Sequence, residues 1–249
     1  MKYAVEIEKS GLDPRNLVDL LHGTGYQVVN MPHARVLYNP EFDRLKSPSE
    51  ALTMIHKLKD IIQNTGIDGE FFLGAVFDYS SEKTAQYISL EEEIIATEGK
   101  FNESSLTVLA PSELSKAQKE SWKNKHRERE YETKLRSQRV RLKAAIKDPR
   151  VSRVLTLLSN KSPTGETLYK AYEIMEEHPS KRQQFHSQFN IPVNEFKRFG
   201  DTVHNQAVSG ELARHAYKEK PKTTNPMTFN EATRFIEELA NSWILSIAK

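Results

Sequence analysis

Residues 116–150 read KAQKESWKNKHREREYETKLRSQRVRLKAAIKDPR, with 13 basic and 5 acidic side chains and no glycine. This stretch, net +8, divides the chain. Residues 1–115 carry 10 basic and 18 acidic side chains, net −8, and residues 151–249 carry 13 and 11, net +2. The formal charge of +2 over 249 residues therefore hides a strongly dipolar chain, and that asymmetry says more than the total. Tyr131, Leu135, Leu142 and Ile146 recur at spacings of 4, 7 and 4, which places them on one helical face. Before them only Leu114, Ala117 and Trp122 are sizeable apolar anchors. The spacing predicts a long helix, packed at its C-terminal end and solvated near its start.

Upstream, Tyr3, Val5 and Ile7 alternate with Ala4, Glu6 and Glu8, the period of a half-buried strand. Asp13-Pro14 opens a short helix filled by Leu17, Val18, Leu20 and Leu21 and stopped by Gly23 and Gly25. Residues 27–31 and 34–38 are strand material broken at Pro32. Ser47-Pro48-Ser49-Glu50 opens a second helix whose apolar face is Leu52, Ile55, Leu58, Ile61 and Ile62, closed near Gly66. Residues 71–77, 85–90 and 106–109 are further strand candidates. Interleaved helices and strands imply a small α/β sandwich over residues 1–111.

Downstream of residue 150 every pattern is helical. Val154, Leu155, Leu157 and Leu158 begin it; Leu168, Tyr169, Tyr172 and Met175 form a helix that Pro179 ends. Phe185 and Phe189 mark a short helix, and Val193, Phe196, Phe199 and Val203 the next. A polar loop over residues 218–226 precedes Thr228-Phe229-Asn230-Glu231, a capping box that opens a last helix with Phe235, Ile236, Leu239, Trp243 and Ile247 inward. The expected fold class is α+β: an N-terminal α/β sandwich (1–111), a basic connecting helix (112–150) and an all-α domain (151–249).

Composition removes many chemistries. With no cysteine there is no disulfide, thiolate ligand or cysteine nucleophile. No Walker-type loop, Gly-x-Ser-x-Gly elbow or His-Glu-x-x-His occurs, and Gly23-Thr24-Gly25 follows a helix rather than a strand. Asp201 and His204 share a helical face but lack a third ligand, so no metal is expected, nor any cofactor. Glu91-Glu92-Glu93 reads as a solvated strand end. No apolar run is long enough to span a membrane, and Met1–Ser10 reads as a strand rather than a leader, so a cytoplasmic location is expected.

Three features bear on function. In the connector, Lys123, Lys125, Arg127, Arg129, Arg136, Arg139, Arg141 and Lys143 suit phosphate contact, with Trp122 and Tyr131 available for stacking. The same charges equally suit a solvated helix or one laid across the acidic N-terminal domain or an acidic protein partner. Second, Phe185, Phe189, Asn190, Ile191, Phe196 and Phe199 resemble the apolar skeleton of a helix-turn-helix. Pro192 would then start a recognition helix presenting Asn194, Glu195, Lys197 and Arg198. Two helices meeting in a helical core share that spacing, and bulky His186 stands where a small residue is expected.

Third, Arg198 and His204, with five residues between them in RFGDTVH, satisfy an R-x4–6-H pattern ahead of a long closing helix. This resembles the HEPN ribonuclease family. The resemblance implies metal-independent cleavage of RNA, with His204 as the proton-transfer group, Arg198 as the phosphate clamp, and Arg214 and His215 accessory. The expected role is a non-enzymatic interaction or regulatory protein whose connector meets nucleic acid or an acidic partner. Its alternatives are such a ribonuclease and a helix-turn-helix DNA-binding regulator. The long helix is compatible with a homodimer.

Overall fold

The computed structural model describes residues 1–10, 14–64, 71–80, 85–87, 116–160, 162–216 and 221–249. The strand candidate 106–109, residues 88–90 of the candidate 85–90, the Glu91-Glu92-Glu93 run, the boundary at 111 and residues 112–115 of the connector lie outside the described residues, as do Asp13, Gly66 and residues 218–220 of the polar loop.

Strand β1 (Tyr3–Ser10) is the centre of the N-terminal sheet, followed by α1 (Pro14–Leu21), β2 (Gln27–Asn30), β3 (Arg35–Tyr38), α2 (Pro48–Asn64), β4 (Phe71–Asp78) and β5 (Ala85–Tyr87). The strand order is β2-β3-β1-β4-β5 and every pairing is antiparallel. Because α1 crosses from β1 to β2 and α2 from β3 to β4, each crossover skips one strand. That is the split βαβ arrangement. Its cause is the period-two pattern of β1: Tyr3, Val5 and Ile7 are buried beneath Leu17, Leu20 and Leu21 of α1 and Ile55, Leu58 and Ile62 of α2. Ala4, Val36 and Phe77 form a small cluster on the other face. Val18 departs from expectation: it is 49% exposed, because α1 buries a stripe too narrow to include it.

Helix α3 (Lys116–Lys147) follows the N-terminal sheet and leads into the helical C-terminal region. Its apolar face meets the N-terminal core through Leu135, Leu142 and Ile146, while Ala144 and Ala145, rotated away from them, enter the core of the helical domain. Tyr131, expected on the packed face, is 42% exposed, one turn beyond the region that either core covers. The helix ends at Asp148, which is extended and accepts a bond from Arg150 N at 2.9 Å, and Pro149 starts α4 (Pro149–Leu158). A residue before proline is held out of the helical region, so the break is local in origin.

The helical domain continues with α5 (Gly165–Glu176), α6 (Arg182–Gln188), α7 (Val193–His204), α8 (Gln206–Ser209) and α9 (Phe229–Ala248). Its core gathers Val151, Val154, Leu168, Tyr172, Phe199, Ile236 and Trp243. The capping box forms as read: Thr228 N donates to Glu231 Oε2 at 2.7 Å, and Glu231 N to Thr228 Oγ1 at 3.3 Å. Helix α5 stops at Glu177, in positive φ (69°), two residues before the proline expected to end it. Helix α9 runs parallel to α3, and Lys147 Nζ donates to the last carbonyls of α9 at Ile247 and Ala248. Among the described residues no helix is long and apolar enough to cross a membrane.

Candidate functional site

The eight connector cations divide into two groups. Lys123, Lys125, Arg127, Arg129 and Arg136 are exposed, and none is ion-paired among the described residues. Arg139, Arg141 and Lys143 are half-buried where α3 packs. Arg141 Nη2 lies 3.5 Å from Asn241 Oδ1 of α9, Arg139 Nε is buried without a partner, and Lys143 lies against the turn at Gly23. At about 100° per residue, Lys123 and Arg127 share one side of α3 while Lys125, Arg129 and Arg136 share roughly the opposite side. One flat partner therefore reaches one stripe at a time.

The helix-turn-helix segment forms α6, a turn and α7. Asn190 occupies the turn at φ 51°, a conformation asparagine tolerates better than most residues. His186 has a clear place. Its Nε2 lies 2.8 Å from the Tyr172 hydroxyl and its ring meets Phe196 edge-on at 4.7 Å. It is thus a core contact between α5, α6 and α7, which explains its bulk. Of the four residues on the would-be recognition helix, Asn194 and Lys197 are exposed. Arg198 Nη1 and Glu195 Oε1 pair with each other at 2.8 Å.

Below that turn is a buried polar network that residue spacing did not reveal. The Glu176 carboxylate, 1% exposed, accepts Arg182 Nε at 2.5 Å and Nη2 at 3.0 Å in a fork. Tyr172 Oη donates to Glu176 Oε1 at 2.8 Å. Because that proton is committed to the carboxylate, the hydroxyl accepts from His186 Nε2, which sets the tautomer. Burial and the bond to Glu176 push the Tyr172 hydroxyl above its usual range, and burial pushes the His186 ring below its own. With both Glu176 oxygens and the Tyr172 hydroxyl engaged, the network reads as a structural brace.

The fold separates Arg198 from its expected partner. Six positions along α7 turn it about 240° from His204, and its Nε donates to the Asn225 carbonyl at 2.7 Å. His204, Arg214 and His215 instead converge on Tyr169 of α5. The His204 ring meets Tyr169 edge-on at 4.3 Å and stacks on His215 at 5.2 Å and 17°, and the Arg214 guanidinium lies 4.8 Å from the Tyr169 ring centre. Asp201, one turn earlier, accepts Lys222 N at 3.1 Å, Thr223 N at 2.7 Å and Thr223 Oγ1 at 2.7 Å, so its oxygens are engaged. Among the described residues no three potential metal ligands gather.

Burial, then the charges of Arg214, His215 and Lys222, hold His204 down to about 4 from its ordinary 6.5. The ring is neutral at pH 7. Unfolded chains bind more protons than folded ones between these two values, so His204 makes stability fall as pH drops from about 6.5 to about 4. At about 1.4 kcal/mol per unit, discounted for the water that reaches the half-buried ring, the loss is on the order of 1–2 kcal/mol. Urea midpoints compared at pH 7 and pH 4.5 should show a smaller difference in His204→Gln than in the unchanged chain. An identical difference in the two would remove His204 from the acid sensitivity.

Together these features define a split βαβ sandwich coupled through a basic helix to a helical domain with a cationic aromatic cluster. No protein-family model matches the chain, and neither does any curated protein or solved structure.

Proposed function

We propose that the chain is a non-enzymatic interaction protein that contacts nucleic-acid phosphates through the N-terminal half of α3. One observation carries the reading: Lys123, Lys125, Arg127, Arg129 and Arg136 are exposed and carry no ion pair among the described residues, on a helix whose first side chain described as packed against a core is Leu135. Cations held in water on a rigid rod can replace the counterions of a phosphate backbone, and ion release then drives binding. The two-sided arrangement favours a strand that wraps the helix, or two strands, over a single groove.

Fluorescence anisotropy with labelled single-stranded RNA and duplex DNA, at about 50 and about 200 mM salt, tests this. Affinity is expected to fall tenfold or more between the two. Replacing Lys123, Lys125, Arg127 and Arg129 together by glutamine should lower the slope of log affinity against log salt by roughly 3, at about 0.7–0.9 per contact. Absence of binding at the lower salt, or a slope unchanged in the variant, would sink the reading and turn the search to acidic protein partners.

A further inference from the structure

From Thr133 to Ala144 a neutral lane runs along α3 between its two stripes of cations. At about 100° per residue, Leu135, Leu142 and Ile146 lie within about 40° of one another on the side packed against the N-terminal core. Thr133, Ser137, Val140 and Ala144 fall on roughly the opposite side. Lys125, Arg129 and Arg136 follow one edge of that line, and Lys123, Arg127 and Arg141 follow the other. Glu130 stands on the same outward side one turn earlier, where its carboxylate lies 3.1 Å from His126 Nε2. The lane ends at Ala144, which enters the core of the helical domain.

Before it ends, the lane sinks into a cleft of about 450 Å³ between α3 and α9. Among the described residues its walls are Arg136, Val140 and Arg141 of α3 and Asn241, Ile244 and Leu245 of α9, and Thr133 and Ser137 line it as well. Val140 and Ile244 belong to the helical core, while Leu245 is 53% exposed. A lone exposed leucine means little. This one shares its cleft with two arginines. Arg136 is exposed and carries no ion pair among the described residues, and Arg141 reaches only the neutral Asn241 Oδ1, at 3.5 Å.

A ligand that fits such a cleft is anionic along its edge and apolar on its faces. A second copy docked by the same surface sets arginine against arginine. A duplex keeps its base faces stacked on one another, whereas a single strand presents them. The cations extend over about 27 Å of helix from Lys123 to Arg141, which suits a ligand charged at every unit along its length better than a short acidic helix.

We propose that the nucleic acid met by α3 is single-stranded, with its backbone between the two stripes and its bases in the cleft against Val140, Ile244 and Leu245. This rests on the nucleic-acid reading above and adds the form of the strand and the seat of its bases. Arginine on each rim forks onto phosphate oxygens. Apolar side chains meet base faces, and because every base has such a face no sequence preference is required. A flexible strand seated between the stripes is reached from both, which a flat partner is not.

The test is fluorescence anisotropy of the full chain with a labelled homopyrimidine strand of about 12 nucleotides, as RNA, as DNA, and as DNA annealed to its complement. Both single strands are expected to bind about tenfold or more tighter than the duplex at equal salt. Leu245→Ser, at an exposed side chain, should weaken single-strand binding several-fold and leave the salt slope unchanged, because no ion contact is lost. Arg136→Gln combined with Arg141→Gln should lower that slope by about 1.4, at about 0.7 per contact. Tighter binding of RNA assigns a contact to the 2′-hydroxyl, and equal binding assigns the site to backbone and bases alone; both support the proposal. If none of the three binds, both readings fall and the cleft passes to an acidic peptide partner. If the duplex binds as tightly as the single strands, this proposal is overturned while the nucleic-acid reading stands. The same holds if folded Leu245→Ser and the double arginine variant bind single strands as the unchanged chain does.

Discussion

Replacing Arg182 by alanine is expected to destabilise the protein by about 3 kcal/mol, seen as a lower urea midpoint at unchanged slope. The reason is the partner left behind. Glu176 is 1% exposed, and among the described residues Arg182 is the one cation that bonds to its carboxylate. Tyr172 Oη donates to one oxygen, but a neutral hydroxyl cannot offset a buried charge. Stripping one member from a buried pair costs about 3–5 kcal/mol, and the low end applies because the Arg182 side chain is itself 37% exposed. Arg182→Lys should fall between, since an ammonium cannot fork onto two oxygens. Pairing Arg182→Met with Glu176→Gln should recover much of the loss, because no charge is then buried alone. A loss under about 1 kcal/mol in Arg182→Ala would mean that water or a neighbouring group already carries the carboxylate.

Leu142→Ala is expected to cost about 3 kcal/mol, within the range for truncating a fully buried leucine. Tyr131→Ala, on the same helix but 42% exposed, should change stability by less than about 0.5 kcal/mol. Leu142 inserts from α3 into the N-terminal core, while Ala144 and Ala145 of the next turn belong to the helical core. Ile61 of α2 packs against both. The cavity should therefore loosen the two domains together, and hydrogen exchange should quicken in β1 and in α9 alike. Faster exchange in β1 with α9 untouched would show that the cores unfold separately and that α3 is only a tether.

Much of the fold is legible in particular residues. The alternation in β1 named its inward side chains, and Thr228 and Glu231 marked the start of α9. Each of these signals acts within a few residues, so sequence order alone carries it. Tyr131 shows where such reasoning stops. Spacing puts it on the face of Leu135 and Leu142, but how far along the helix the two domains extend depends on their bulk. Residue spacing likewise gave no sign that Glu176 and Tyr172 of α5 form one network with Arg182 and His186 of α6, for the two pairs meet only where those helices pack. His186, out of place as a helix-turn-helix residue, was the one local hint.

The candidate sites divide in the same way. The excess charge of residues 116–150 is a property of composition, and the sequence by itself determined that a basic helix would follow an acidic N-terminal half and precede a helical C-terminal region. Whether each cation on it faces solvent depended on packing: Lys123 to Arg129 and Arg136 are exposed, while Arg139, Arg141 and Lys143 are drawn into the joint. Pairing Arg198 with His204 treated six residues as proximity, whereas a helix turns them to different faces. The tertiary structure decided that His204 instead meets Arg214, His215 and Lys222 around Tyr169. The physical reason is that periodicity is written in neighbouring residues, while the field at a side chain is the sum over whatever the folded chain brings within a few ångströms.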